Sequence, residues 1–233
     1  METSIYEQYQ GNKRFVSVDC VIFGYEDEQL KLLLFQRAIE PSKGEWSLLG
    51  GWVNANETSE DAARRVLNKL TGLEDVYLEQ VHTFSNPNRD PGGSVITVEY
   101  YALINIDEKA NNLIKDYGAR WFTIDALPPL IFDHDVLVAK ALEKLRLRSS
   151  YEIIGRKLLP EKFTITCLRN LYNQIFQRQF DPGNFRKKIL SLKILEKLDE
   201  KDMSESRKGA YLFKFKPKKQ TEFIDPIVKR SLS

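Results

Sequence analysis

The sequence is poor in cysteine and in unbroken apolar stretches, and each shortage removes a class of protein. Only two cysteines occur in 233 residues. Cys20 lies in a strand-like run and Cys167 in a helix-like run, far apart and without metal-ligand spacing, so they read as reduced, mostly buried thiols. A disulfide framework and a structural zinc site are both excluded. No stretch approaches the roughly 20 apolar residues that a bilayer span needs, and the charged N-terminal stretch lacks the apolar centre of a secretion signal. The chain therefore reads as a soluble cytoplasmic protein. Its 42% hydrophobic content is ample for one large core or two unequal ones.

Net charge is also nearly missing, at +2, until the chain is divided. Residues 1–150 hold 16 Lys/Arg against 23 Asp/Glu, a net of −7, whereas residues 151–233 hold 19 against 10, a net of +9. An acidic body joined to a basic C-terminal third is the distribution expected of a sensing domain carrying a nucleic-acid-binding module.

Periodicity supplies the elements. The polar residues 1–12 are expected to form a flexible N-terminus, and residues 13–150 to form the first domain. In it, Phe15 to Tyr25 and Leu30 to Gln36 read as a hairpin around a turn at Glu26 to Gln29. A loop with Pro41 and Gly44 leads through Trp46 to Leu49 toward a Gly-Gly turn. Val76 to Phe84, Ser94 to Ile106 and Gly118 to Ile124 read as further strands, with strong turn chemistry at Asn86 to Gly93. Asp133 is placed to cap a helix from His134 to Arg148.

The organising stretch is Gly51 to Leu73: a turn, a short loop closed by Glu57, and a helix capped by Thr58 or Ser59 and ended by Gly72. Ala62, Ala63, Val66, Leu67 and Leu70 form its apolar stripe. This stretch resembles the Nudix box, whose helix carries glutamates that hold Mg2+ against a diphosphate. Gly51, Glu57, Arg65 and Gly72 keep the pattern, but Val66, Lys69 and Leu70 stand where the family has metal-binding glutamates. Mg2+ requires oxygen ligands, and cleavage of this kind requires the metal. Neither catalytic residues nor a metal or other cofactor are therefore expected; a rival enzyme reading would build a displaced site from Glu57, Glu60 and Asp61. Glu57 and Arg65 are expected to pair as a structural link between loop and helix. The order of strands and helices matches the α/β/α Nudix sandwich that the resemblance implies.

Residues 151–233 change character. Leu158-Leu159-Pro160 reads as the end of a linker. Thr164 or Thr166 caps a helix to about Gln177, and Asp181-Pro182 starts a second helix with Asn184, Arg186, Lys187 and Lys188 outward. Two strands, Ile194 to Leu198 and Ala210 to Phe215, flank a basic loop with Arg207 and Lys208. Two helices and a basic hairpin resemble a winged helix-turn-helix, in which Thr164, Asn184, Arg186, Lys187, Lys188, Arg207 and Lys208 would meet double-stranded DNA.

The combination is similar to the Nudix-related transcriptional regulators, the ADP-ribose-sensing NrtR type and the sugar-sensing AraR type of Bacteroidetes. The runs Gly44 to Gly51, Arg89 to Gly92, Tyr100 to Leu103, Phe132 to His134 and Asn184 to Lys187 resemble the AraR type most. That resemblance implies a homodimeric repressor or activator on a palindromic operator, responding to a pentose such as L-arabinose. For a neutral sugar the candidate contacts are Arg37, Trp46, Arg89, Asp90, Tyr100, Asp133 and His134. For ADP-ribose bound without metal, Arg37, Arg65, Lys69 and Arg89 could supply the cations.

Overall fold

The computed structural model describes residues 13–72, 76–106, 118–203 and 208–217. The proposed N-terminal segment and Arg207 lie outside the described residues. Strand β1 (Phe15–Glu26) turns through Asp27 and Glu28, both at positive φ (52° and 60°), into β2 (Gln29–Gln36), the hairpin expected from the sequence. Two short strands follow, β3 (Trp46–Ser47) and β4 (Leu49–Trp52), then helix α1 (Ser59–Thr71). Strands β5 (Tyr77–Phe84), β6 (Val95–Asn105) and β7 (Ala119–Thr123) complete the sheet, and helix α2 (His134–Tyr151) crosses it. The sheet order is β3-β2-β1-β6-β5, with β4 also on β1 and β7 on β2, and the central β1/β6 pair is parallel.

Strand β1 is buried on both faces, and its alternation sorts the core into two layers. Val18, Cys20 and Ile22 pack with Ala62, Ala63, Val66 and Leu67 of α1. Val21, Phe23 and Tyr25 face the other way, toward Leu137, Ala141 and Leu145 of α2. Helix α1 is held by a capping box: Thr58 Oγ1 accepts from the Asp61 amide at 3.1 Å, and Asp61 Oδ2 accepts from the Thr58 amide at 3.1 Å. Gly72, in the left-handed region at φ 65°, ends it.

The stretch read as a linker is a buried joint. Residues Gly155–Leu158 form a short helix, α3, whose Leu158 is fully buried, followed by Leu159 at 4% exposure. Helices α4 (Ile165–Phe176) and α5 (Pro182–Ser191) and the hairpin β8 (Leu195–Asp202) and β9 (Ala210–Phe215) form the winged helix. The β8 strand runs four residues beyond the sequence expectation, because the pairing resumes at Lys201 and Asp202 after an irregularity.

One apolar cluster runs from Val21, Phe23 and Leu32 through Leu145 to Ile154, Leu158, Leu168, Leu171 and Phe213, so the two units share a core. Polar bonds fasten the joint. The Arg146 guanidinium donates to the Ile175 carbonyl (2.8 Å) and to Gln177 Oε1 (2.6 Å), Asn170 Nδ2 donates to Glu28 (2.7 Å), and Asn105 Nδ2 to the Leu159 carbonyl (3.1 Å). No helix among the described residues is long and apolar enough to cross a membrane.

A shared core has a measurable consequence. Leu158→Ala is expected to cost about 2–5 kcal/mol and to shift a single thermal transition downward, because the cavity it leaves touches both units. Separate melting of the two halves, followed by domain-specific tryptophan and far-ultraviolet signals, would contradict it.

Candidate effector site and nucleic-acid interface

The box residues occupy structural positions. Glu57 Oε2 accepts from Arg65 Nε at 2.9 Å, its other oxygen accepts from Arg65 Nη2 and from the Asn54 amide (2.8 Å), and Arg65 also donates to the Trp52 carbonyl at 2.9 Å. This is the expected link between loop and helix. The Arg65 guanidinium holds the Glu57 carboxyl down to about 2. Val66 is buried, and a Cβ on Gly51 would come 2.7 Å from its Cγ2, so the valine fills the space beside the turn. Lys69 is exposed; the Leu70 side chain lies outside the described residues. Glu60 is bonded to Arg64 at 2.8 Å and Asp61 is spent in the capping box, so the displaced acidic site also has its carboxylates engaged. Among the described residues, no group of three or more His, Cys, Asp or Glu side chains is placed to hold a metal ion.

On the opposite face of the sheet a charged network is buried. Asp133 is the N-cap of α2, but its side chain caps nothing: Arg89 takes both oxygens, Nε to Oδ2 at 3.0 Å and Nη2 to Oδ1 at 2.8 Å. The capping expected from local sequence loses to a bidentate, charge-assisted pair. Arg89 Nη2 also reaches Asp19 Oδ2 (3.4 Å), which accepts from Thr97 Oγ1 at 2.8 Å. His134 is buried. Its Nδ1 accepts from the Leu48 amide at 3.0 Å, and Nε2 lies 3.9 Å from Asp19 Oδ1. Burial holds its pKa below the usual imidazole value, so the ring is neutral with its proton on Nε2.

Beside this network sits Glu99, fully buried, with neither carboxyl oxygen meeting a hydrogen-bond partner. Burial, and next the Asp19 carboxylate, push it up to about 9 against a contribution of the opposite sign from Lys140, so it is a neutral acid near pH 7. Neither Asp19, Thr97 nor Glu99 was singled out from the sequence. The available signal was a lone acid inside each of two otherwise apolar strands.

The expected effector residues therefore separate. Arg89, Asp133 and His134 come together but bond to one another and to Asp19. Tyr100 is buried on the α1 face, its hydroxyl 2.9 Å from Ser59 Oγ, and so stands on the other side of the sheet. Asp90 closes its own turn by accepting from the Gly92 amide at 2.7 Å. Arg37 and Trp46 remain half-exposed. Arg37 lies 5.3 Å from the Phe132 ring centroid, Arg120 lies 5.7 Å from that of Trp46, and Phe122 meets Trp46 edge to face. These rings and guanidinium groups make a cationic aromatic surface where β2, β3 and β7 meet the loop before α2. Arg120 and Phe122 were missed because each looks like an ordinary strand residue, and Phe132 was noted only as part of the Phe132 to His134 run.

In the winged helix, Asp181 caps α5 by accepting from the Asn184 amide at 2.8 Å, and Pro182 opens the helix. Phe185 and Ile189 point inward, which leaves Asn184, Arg186 and Lys187 exposed and Lys188 half-buried. Thr164 is buried and its hydroxyl accepts from the Cys167 amide at 3.0 Å; it caps α4 and does not join the exposed basic face. Lys208 is exposed at the wing, beside Gly209 at φ 64°.

Residues 13–144 match the NUDIX domain and residues 155–215 match the NrtR DNA-binding winged helix domain. A curated relative, the ADPR responsive transcriptional repressor NtrR of Acinetobacter baylyi, is 33% identical over 221 residues, 92% of this chain and 88% of that protein. The chain belongs to the NrtR-type Nudix-related transcriptional regulators. The crystal structure of Shewanella oneidensis NrtR complexed with a 27mer DNA superposes with a TM-score of 0.76 at 30% identity, over 86% of this chain and 93% of that one. The ADP-ribose pyrophosphatase of Methanocaldococcus jannaschii is 35% identical over 124 residues, 53% of this chain and 70% of that protein. The NrtR-type match thus spans both units, whereas the likeness to the hydrolase covers about half of the chain.

Glu99 makes stability pH-dependent. Its folded pKa is raised, so its contribution is complete below the unfolded value of 4.5 and is lost as pH rises toward about 9. Thermal unfolding between about pH 6 and about pH 8 should show the wild type losing stability, and Glu99→Gln, which cannot ionise, losing less. Equal slopes for the two proteins would contradict the neutral buried acid.

Proposed function

We propose that the protein is a DNA-binding transcriptional repressor whose Nudix unit binds ADP-ribose without hydrolysing it. The observation that carries this reading is the pairing of a box helix with Val66, Lys69 and Leu70 at the positions of the family's metal-binding glutamates, Val66 being packed against Gly51, and a winged helix whose α5 presents Asn184, Arg186 and Lys187 to solvent. Arg186 and Asn184 are the residue types that read guanine and adenine edges, and Lys187, Lys188 and Lys208 would meet phosphates. A short helix reads few base pairs, so a homodimer on a palindromic operator is the working form.

The relatives favour ADP-ribose over the pentose expected from the sequence. The Acinetobacter baylyi repressor is named for its response to ADPR and aligns along nearly the whole chain. The local chemistry agrees with this. Arg89, Asp133 and His134, which a sugar would need as free polar groups, are engaged with each other or with Asp19 and Leu48. Arg37 and Arg120 beside Phe132 and Trp46 offer cations for a diphosphate and rings for a base. The Nudix unit would then work as a sensor: a ligand regulates only by binding the DNA-competent and DNA-incompetent states unequally, typically by about 1–3 kcal/mol.

An operator selected from random duplexes, followed by fluorescence anisotropy, tests the reading. ADP-ribose is expected to release the DNA and L-arabinose to leave it bound. Arg186→Ala should reduce discrimination at particular base pairs by about 1–3 kcal/mol. Incubation of ADP-ribose with Mg2+ and the protein should leave it intact; turnover near about 1 per second would make the protein a hydrolase.

A further inference from the structure

A second cavity lies at the joint between the two units, away from the cationic aromatic surface around Trp46. It has a volume of about 400 Å3 and is lined by Val81 of β5, Lys140, Lys144, Arg146 and Leu147 of α2, and Phe176 at the end of α4. We propose that this cleft binds a small organic phosphate of the size of a nucleoside monophosphate.

The charge argument comes from how each cation is engaged. Arg146 bonds to neutral acceptors, the Ile175 carbonyl and Gln177 Oε1, and among the described residues it has no carboxylate within ion-pair distance. Lys144 touches Glu79 at 3.3 Å, but that carboxylate already accepts from Arg148 Nε at 2.7 Å and from the Tyr77 and Tyr101 hydroxyls, each at 2.8 Å. The lysine is therefore surplus to Glu79. Lys140 pairs with Glu143 at 2.8 Å across exposed side chains, a contact worth little in water. Among the described residues, Glu143 is the one carboxylate on the cavity wall, against three cations. A cleft with this imbalance and low-dielectric walls concentrates anions.

Shape narrows the class. Val81, Leu147 and Phe176 give the cleft an apolar lining beside its cations, which suits a phosphate attached to an apolar or aromatic body. The volume is at the small end of ligand pockets, room for one phosphate and one ring system and too little for a full dinucleotide. Such a ligand touches both units at once. Arg146 and Phe176 are also where α2 grips the end of α4, so occupancy favours one setting of the joint over others.

AMP titrated into the full-length protein by calorimetry is the test, with ribose 5-phosphate and inorganic phosphate as smaller probes. Wild type is expected to take up AMP. Lys144→Gln should weaken it by about tenfold or more, the effect of losing one charge-assisted bond. Leu147→Trp, which fills the cleft from a partly exposed position and leaves every cation in place, should also weaken uptake by about tenfold or more. Circular dichroism checks that both variants are folded; if one is not, the other decides. Trp46→Ala, in the proposed ADP-ribose surface, should bind AMP as wild type does. Uptake lost in Trp46→Ala but kept in Lys144→Gln and Leu147→Trp would place AMP on the other surface and overturn the proposal, as would no uptake of any probe at about 10 mM, where a ligand with a millimolar Kd or tighter saturates. Because uptake is read directly and not through DNA release, failure here leaves the regulator reading standing, and failure of that reading leaves this one measurable.

Discussion

Strand β1 must satisfy two opposite faces at once, and the rest of the structure follows from that constraint. Its even-numbered residues, Val18, Cys20 and Ile22, need the box helix to cover them. Its odd-numbered residues, Val21, Phe23 and Tyr25, need α2 and the start of the winged helix. A one-residue slip would exchange the two sets, so the parallel pairing with β6 and the antiparallel pairings with β2 and β4 are tied to a single register. Asp19 falls on the odd face of this strand, and a charge in such a place has to be met from elsewhere. Arg89, Thr97 and the imidazole of His134 meet it from three separate segments.

The Nudix frame survives here for mechanical reasons. Glu57 and Arg65 staple the loop to the helix and to the Trp52 carbonyl, and Gly51 leaves room for Val66. Each of these contacts is independent of metal. The turn, the loop and the helix are therefore held together by contacts that need no metal.

Features encoded within a few residues were legible in the sequence. The cap at Thr58 or Ser59, which the structure gives to Thr58, the Gly72 stop, the Asp181-Pro182 start and the β1/β2 turn were all read from local chemistry and stand in the structure. The Glu57–Arg65 link was also legible, since both residues sit in one motif. What was not legible depended on partners distant in sequence. Asp133 looks like a cap until Arg89, 44 residues away, takes both its oxygens. Glu99 reads as one polar residue in an apolar strand, and only the three-dimensional packing leaves its carboxyl fully buried without a hydrogen-bond partner. The segment around Leu158 reads as a linker because its apolar pairs, Ile153-Ile154 and Leu158-Leu159, lack a helical or strand period, and only the shared cluster they join explains their burial. The exposed cations of α5 were legible as a face; the inward turn of Thr164 was not, because capping and DNA contact call for the same hydroxyl.

The shared core also bears on how the chain is made. Synthesis runs from the N-terminus, so the sheet is complete before α3 and α4 exist. Until then the face with Tyr25, Leu30 and Leu32 has only α2 to cover it, whereas in the finished protein Ile154, Leu158, Leu168 and Leu171 join the same cluster. A nascent sheet therefore leaves the ribosome with part of its apolar face open to water, the kind of surface that recruits chaperones or other unfinished chains. The winged helix is in this sense the last piece of the sheet's own folding, and a chain halted before it would be a target for aggregation or degradation instead of a free-standing sensor.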